Sequence, residues 1–289
     1  MKVSGFSFIK NAVRFDYPIV EAIRSILPLC DEVVVAVGDS DDGTRELVAS
    51  IDPKVRIIDS VWDESLKENG RVLAVETDKA LAAVAEDSDW CIYIQGDEVM
   101  HEDGYGEVRK AMERWKDDKG VDGLLLKYKH FYGSFDYVGT ASQWYRHEIR
   151  VIRKRKDIYS YKDAQGFRKG DNEKLRVKAV NAYIYHYGWV REPSAMQSKW
   201  NNFVQLYHGE EMHTQAPSFD GPFDYSQIDA LELFKGRHPA VMQERIKRMN
   251  WKFEYDLSYN KNTLKERFKS IMDRVFGFRP FDYKNYKKI

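Results

Sequence analysis

Over the first hundred residues, short apolar runs alternate with stretches that are apolar along one face only. Val3–Ile9, Glu32–Val37, Val55–Asp59 and Trp90–Ile94 read as strands, and the fourth is apolar enough to be buried on both faces. Between the first two, Ile19, Ala22, Ile23, Ile26 and Leu27 mark one side of a helix over about 18–29. GDSDDGT (38–44) offers turn residues and an N-cap for a helix through Ile51. Leu73, Ala74, Thr77, Ala80, Leu81 and Val84 repeat at helical spacing within 70–86. The order β-α-β-α-β-α-β predicts an α/β fold with a mostly parallel central sheet and helices on both faces.

After a helix over about 103–115 and a polar turn, the repeat stops. Leu124–His130 and Val177–Tyr185 read as further strands, joined by a region rich in aromatics and strand formers that extends the sheet. Its loop Tyr and Trp residues suit stacking against sugar rings, although ordinary core and rim packing accounts for most of them. From Ser194 onward the pattern predicts helices over Ser194–His208, Gln227–Phe234, Pro239–Trp251 and Thr263–Val275. Residues 245–289 carry 13 Lys/Arg against 5 Asp/Glu, interleaved with aromatics. That tail reads either as a solvated helix packing its aromatics on the domain or as a peripheral contact with an anionic membrane surface.

Composition narrows the class. The 289 residues suffice for one large domain or a domain with an extension, and a formal charge of zero argues against general nucleic-acid binding. Cys30 and Cys91 fall in predicted core elements, so reduced, space-filling thiols are expected, and no Cys/His zinc spacing exists. With neither a signal-peptide pattern nor an apolar run approaching 18 residues, a cytoplasmic protein is expected.

Candidate chemistry concentrates in Asp89–His101, DWCIYIQGDEVMH. Charge begins where the fourth strand ends, at the place where open α/β sheets bind ligands, so Gln95, Gly96, Asp97 and Glu98 are placed to hold a cation and the anion it escorts. The alternative is that Asp97 or Glu98 caps a helix beginning near Glu102. Neither G-x-G-x-x-G nor G-x-x-x-x-G-K-[ST] is present, so a phosphate would be held by other means, such as a divalent ion at Asp97.

The combination FIKNA, VVVAVGDSDDGT, TDKAL and DWCIYIQGDEV, in this order over residues 3–105, resembles the family-2 glycosyltransferases of the GT-A fold. RVIRK, KDAQGFR and HYGWVR extend the resemblance loosely to about residue 191. It implies a GT-A domain over 1–192, with a nucleotide-binding half to about 105 and an acceptor-side half beyond it, followed by a helical C-terminal extension over 193–289. The implied activity is inverting transfer of a sugar from a nucleotide-diphospho-sugar to a hydroxyl of a glycan or glycolipid acceptor, with Mn²⁺ or Mg²⁺ as cofactor. Asp97 would be the principal metal ligand, with Glu98 adjoining and His186 completing the site or touching diphosphate. Phe8, Lys10, Asn11, Asp39, Asp41, Arg71 and Asp78 would line the base and ribose pocket. Gln95 and Gly96 map onto the acidic metal motif, whose first acid is here a glutamine able to contact ribose or accept a weak metal bond. Asp163 would be the base, with Asp171 and Glu173 in reserve, and Trp189, Arg191 and Lys199 would meet diphosphate or acceptor. The acid that commonly ends the second strand in the family is Val37 here.

Two other classes remain open. A sugar-phosphate nucleotidyltransferase generally has a glycine-rich basic first loop, which FIKNAVRFD lacks. A non-catalytic nucleotide-sugar or carbohydrate-binding module is favoured if Gln95 marks a decayed metal site.

Overall fold

Strand β1 (Val3–Ile9) is buried along its whole length, because it runs down the middle of the sheet with packing on both faces. Alternation sends Phe6 and Phe8 to one side and Val3 and Ile9 to the other. In the computed structural model, which describes residues 1–66, 70–141, 143–208, 221–226, 228, 230–259, 269, 272 and 283–289, β1 lies between β2 (Glu32–Gly38) and β4 (Trp90–Tyr93). β3 (Val55–Ser60) follows outside β2, and these four strands are parallel. Helices α1 (Ile19–Ile26), α2 (Thr44–Ala49) and α3 (Arg71–Ala83) make the crossovers. The buried sides of α1 and α4 (Tyr105–Arg114) pack with Val33, Val35, Trp90 and Ile92 on one face, while Ala80 and Leu81 of α3 pack with Phe6, Phe8 and Tyr93 on the other. The expected β-α order is therefore observed, with element ends within a few residues of those read from the pattern.

Beyond β4 the sheet becomes mixed. β8 (His147–Arg153) inserts antiparallel between β4 and β6 (Gly123–Tyr132), and β12 (Arg176–Trp189) runs parallel to β6. The three-residue β5 (Glu98–Met100) pairs antiparallel with β12, setting Glu98 opposite His186. This register replaces the expected cap of a helix at Asp97 or Glu98. β7 (Tyr137–Gly139) pairs with the end of β6. A small separate sheet, β9 (Ile158–Tyr161), β10 (Gly166–Lys169) and β11 (Glu173–Lys174), stands beside α3.

The C-terminal region departs from the helical extension expected. α5 (Pro193–His208) matches its pattern, but the segment predicted as a helix over Gln227–Phe234 contains strand β13 (Leu231–Leu233), which adds antiparallel to β7. Within Pro239–Trp251 only a 3-10 turn (Ala240–Met242) and the five-residue α6 (Gln243–Lys247) are helical. Residues 263–275 lie outside the described residues except for 269 and 272. The chain then returns as β14 (Lys287–Lys288) on the free flank of β12, so the extension is threaded into the sheet. Cys30 and Cys91 are buried free thiols. No helix among the described residues is long and apolar enough to cross a membrane.

Candidate active site

The carboxyl ends of β1 and β4, the segment after β3 and the loop joining β9 to β10 surround a cavity of about 420 Å³, where an open α/β sheet places its ligand. Of the residues singled out in the sequence, Phe8, Lys10, Asn11, Gln95, Gly96, Asp97, Asp163, His186, Trp189 and Lys199 line it. Gly96 lies close to β1: a Cβ there would lie 2.8 Å from Ile9 Cδ1, so that methyl would have to shift.

Asp97 is the electrostatic focus. Its Oδ2 accepts from Lys199 Nζ at 3.0 Å, its Oδ1 lies 3.7 Å from His186 Nε2, and its carbonyl accepts from Tyr187 N at 2.8 Å. Burial opposes its charge, but Lys199 and Arg191 outweigh that and hold the carboxyl well below the usual carboxylate range.

Histidine tautomers follow from the partners. His130 Nε2 sits 2.8 Å from the Tyr145 carbonyl, which can only accept, so that nitrogen carries the proton. Burial lowers the pKa of both His130 and His186 and favours the neutral rings. His130 Nδ1 then accepts from His186 Nδ1 at 3.2 Å, and the Nε2 lone pair of His186 is left facing Asp97 Oδ1. A carboxylate oxygen and an imidazole nitrogen thus face each other across 3.7 Å, a pair that fits a divalent cation drawing its other ligands from diphosphate oxygens and water.

The adjoining acid does not join them. Glu98 is wholly buried with both oxygens engaged: Arg150 Nε and Nη2 donate at 2.8 and 2.7 Å, and Tyr128 OH at 2.7 Å. This corrects the expectation of Glu98 as a metal ligand, since a bidentate pair at zero exposure leaves it no access to the cavity. Gln95 turns its amide to the opposite wall, donating from Nε2 to Ala164 O at 3.2 Å and to Tyr93 OH at 3.3 Å. It therefore ties the end of β4 to the loop that carries Asp163.

That loop is conformationally costly. Lys162 and Ala164, on either side of Asp163, both adopt left-handed backbone (φ 56° and 63°), unfavourable by about 1 kcal/mol or more for each non-glycine residue. Ala164 is fully buried and Arg150 Nη1 donates to Gln165 O at 3.2 Å, so packing and hydrogen bonds hold the strained turn in place.

Other expected residues lie elsewhere. Asp39 pairs with Lys10 at 2.7 Å and Asp41 with Arg14 at 2.6 Å, both on exposed loops and not on the cavity wall. Arg71 is exposed at the start of α3, whose Val72 and Leu73 line the cavity instead. Asp78 faces β9 and accepts from Ser160 N at 2.7 Å, with burial raising its pKa to about 6. Asp171 and Glu173 are exposed in the β10–β11 hairpin and do not line the cavity, which removes the reserve bases. Arg191 is fully buried behind Tyr17, its guanidinium 4.6 Å from that ring.

Phe15, Tyr17, Trp62, Tyr145 and Trp200 also line the cavity. The signal that could have found Trp62 is its place just after the carboxyl end of β3. Trp62 Nε1 and Asn11 Oδ1 are buried without a hydrogen-bond partner among the described residues. A separate cluster of ligand-type side chains, His101, Glu102 and Asp103, has both carboxylates already paired with Arg237.

No family model matches the chain, and no curated protein matches it. Among solved structures it is similar to S. aureus TarS, with 16% identity, a TM-score of 0.40 and coverage of 74% of this chain and 41% of that one. It is also similar to TarS 1–349 in complex with UDP-GlcNAc, with 19% identity, a TM-score of 0.39 and coverage of 74% and 69%. A third is glucosyl-3-phosphoglycerate synthase from Mycobacterium tuberculosis in complex with Mn²⁺, UDP and phosphoglyceric acid, with 19% identity, a TM-score of 0.30 and coverage of 45% and 43%. The chain thus spans less than half the length of full TarS.

Proposed function

We propose that this chain is a GT-A type glycosyltransferase that moves a sugar, with inversion, from a nucleotide-diphospho-sugar to a hydroxyl of a glycan or glycolipid. The observation that carries this reading is one cavity lined both by Asp97 at the end of β4 and by Asp163 on a strained, tethered loop. Asp97 and His186 would hold a divalent cation, Mn²⁺ or Mg²⁺, whose chemistry is to neutralise charge on the departing diphosphate. Phe8, Trp62, Lys10 and Asn11 form the wall suited to the base and ribose, with apolar ring faces and polar side chains. The aromatic wall of Tyr145, Trp189 and Trp200 suits the flat faces of a sugar acceptor.

In the reaction, the Asp163 carboxylate takes the proton of the acceptor hydroxyl as that oxygen bonds to the anomeric carbon. The bond from that carbon to the diphosphate oxygen breaks, and its electron pair leaves with the nucleoside diphosphate. Gln95 and Arg150 contribute by holding the Asp163 loop. Replacing Asp163 by Asn keeps the shape and removes the base. Calorimetry with UDP and GDP in Mn²⁺ is expected to give unchanged binding, while turnover falls by at least about a hundredfold. Near-normal turnover of Asp163→Asn would show that the base lies elsewhere.

A further inference from the structure

Two cations and one carboxylate meet beside the cavity. Lys199, on α5, has a side chain only 15% exposed and lines the cavity; Arg191 is fully buried. Both bear on Asp97, Lys199 by a direct pair and Arg191 through its field. The charge of Glu98 is taken up by Arg150. Arg191 donates Nε to the Phe15 carbonyl at 2.8 Å and Nη1 to the Gly188 carbonyl, both uncharged, while Nη2 has no hydrogen-bond partner among the described residues.

Beside Asp97 two cations therefore face one carboxylate, while Asp63 and Asp163 are further acids of the cavity wall. A buried charge without a counterion is unfavourable, and the imbalance is relieved when an anion enters. Lys199 is equipped to receive one. Its ammonium has three protons, of which one goes to Asp97 Oδ2 at 3.0 Å and one to the Gly188 carbonyl at 2.8 Å. The third has no hydrogen-bond acceptor among the described residues. The same ammonium lies 5.1 Å from the centre of the Tyr17 ring, and the Arg191 guanidinium also lies over that ring, so the two cations share an aromatic support that is itself part of the cavity wall.

Resting on the glycosyl-transfer reading, we propose that Lys199 is the resident cation of the donor's diphosphate subsite and holds a nucleoside diphosphate or pyrophosphate there without a divalent ion. A cation at Asp97 and His186 then adds to a subsite that already binds, and α5 belongs to the donor site rather than to an appendage. The competing role for Lys199, a pair that only pins α5 to the sheet, predicts no effect on anion binding.

The test is calorimetric titration of the full chain with inorganic pyrophosphate, UDP and GDP, first in EDTA and then in excess Mn²⁺, with thermal melting as the check of folding. Pyrophosphate and at least one nucleotide are expected to bind in EDTA. Lys199→Gln is expected to weaken that binding by about tenfold or more, and Lys199→Arg, which keeps the charge, to retain most of it. Binding only with Mn²⁺, or a folded Lys199→Gln that binds as the wild type does, overturns this inference and leaves the glycosyl-transfer reading standing. Failure of every probe in both media overturns both. Should Lys199→Gln not fold, the wild-type titration in EDTA still decides.

Discussion

Asp97 and Glu98 show how one step along an extended chain separates chemistry from architecture. Adjacent residues entering β5 point to opposite sides, so Asp97 faces the cavity while Glu98 enters the core and meets Arg150. A sequence read by eye makes them equals. A second buried acid carries a measurable signature. Glu148 is 4% exposed, and burial, reinforced by Glu98 and Asp163 and opposed by Arg150, pushes it up from the ordinary 4.5 to about 8. Between those values the folded chain binds a proton that the unfolded chain has released. The stability linked to Glu148 is therefore full below about 4.5 and is lost as pH rises through about 8. Thermal melting against pH should show this decline in the wild type and a flatter profile in Glu148→Gln; Asp78, raised to about 6, leaves a residual slope in the lower part of the window. Identical profiles for the two proteins would refute the assignment. Asp97 was legible in the sequence because it follows the apolar run of the fourth strand, whereas Asp163, His186 and Lys199 were singled out only through the family resemblance. The pairing of Lys199 with Asp97 was not legible, since the two lie 102 positions apart.

At the scale of elements, β12 does most to assemble the site. Its register with β5 and β6 places His186 beside both Asp97 and His130, and Gly188 keeps the space between them open. A Cβ at 188 would lie 2.5 Å from His186 Cε1, 2.7 Å from Nε2 and 3.0 Å from Asp97 Oδ2. His186 is backed by His130 and cannot simply retreat. Gly188→Ala should therefore weaken Mn²⁺ binding by about tenfold or more while the far-ultraviolet spectrum stays that of the wild type. Unchanged Mn²⁺ affinity would argue against His186 and Asp97 acting as a ligand pair. Long periodic segments such as α3 and α5 were readable from their own pattern. The segment 227–234 was not: a short apolar run is compatible with helix or strand, and its pairing with β7 decides the matter.

For the whole molecule, the parallel half of the sheet follows from local order, since each strand-helix-strand unit feeds its neighbour. Insertion of β8 between β4 and β6, and the return of the chain as β14, depend on pairings between distant segments that no window of sequence contains. Those long-range pairings bring Asp163, His186 and Lys199 to the cavity whose other wall is built by the first hundred residues. The proposed glycosyl transfer requires this joint cavity to carry out displacement at an anomeric carbon, with Asp163 as base. The most direct measurement is NMR of the anomeric proton while the protein turns over UDP- and GDP-linked sugars in Mn²⁺. One such donor is expected to release its nucleoside diphosphate, and the first-formed product to have the anomeric configuration opposite to the donor's. A first-formed product that keeps the donor's configuration would contradict the proposed inversion.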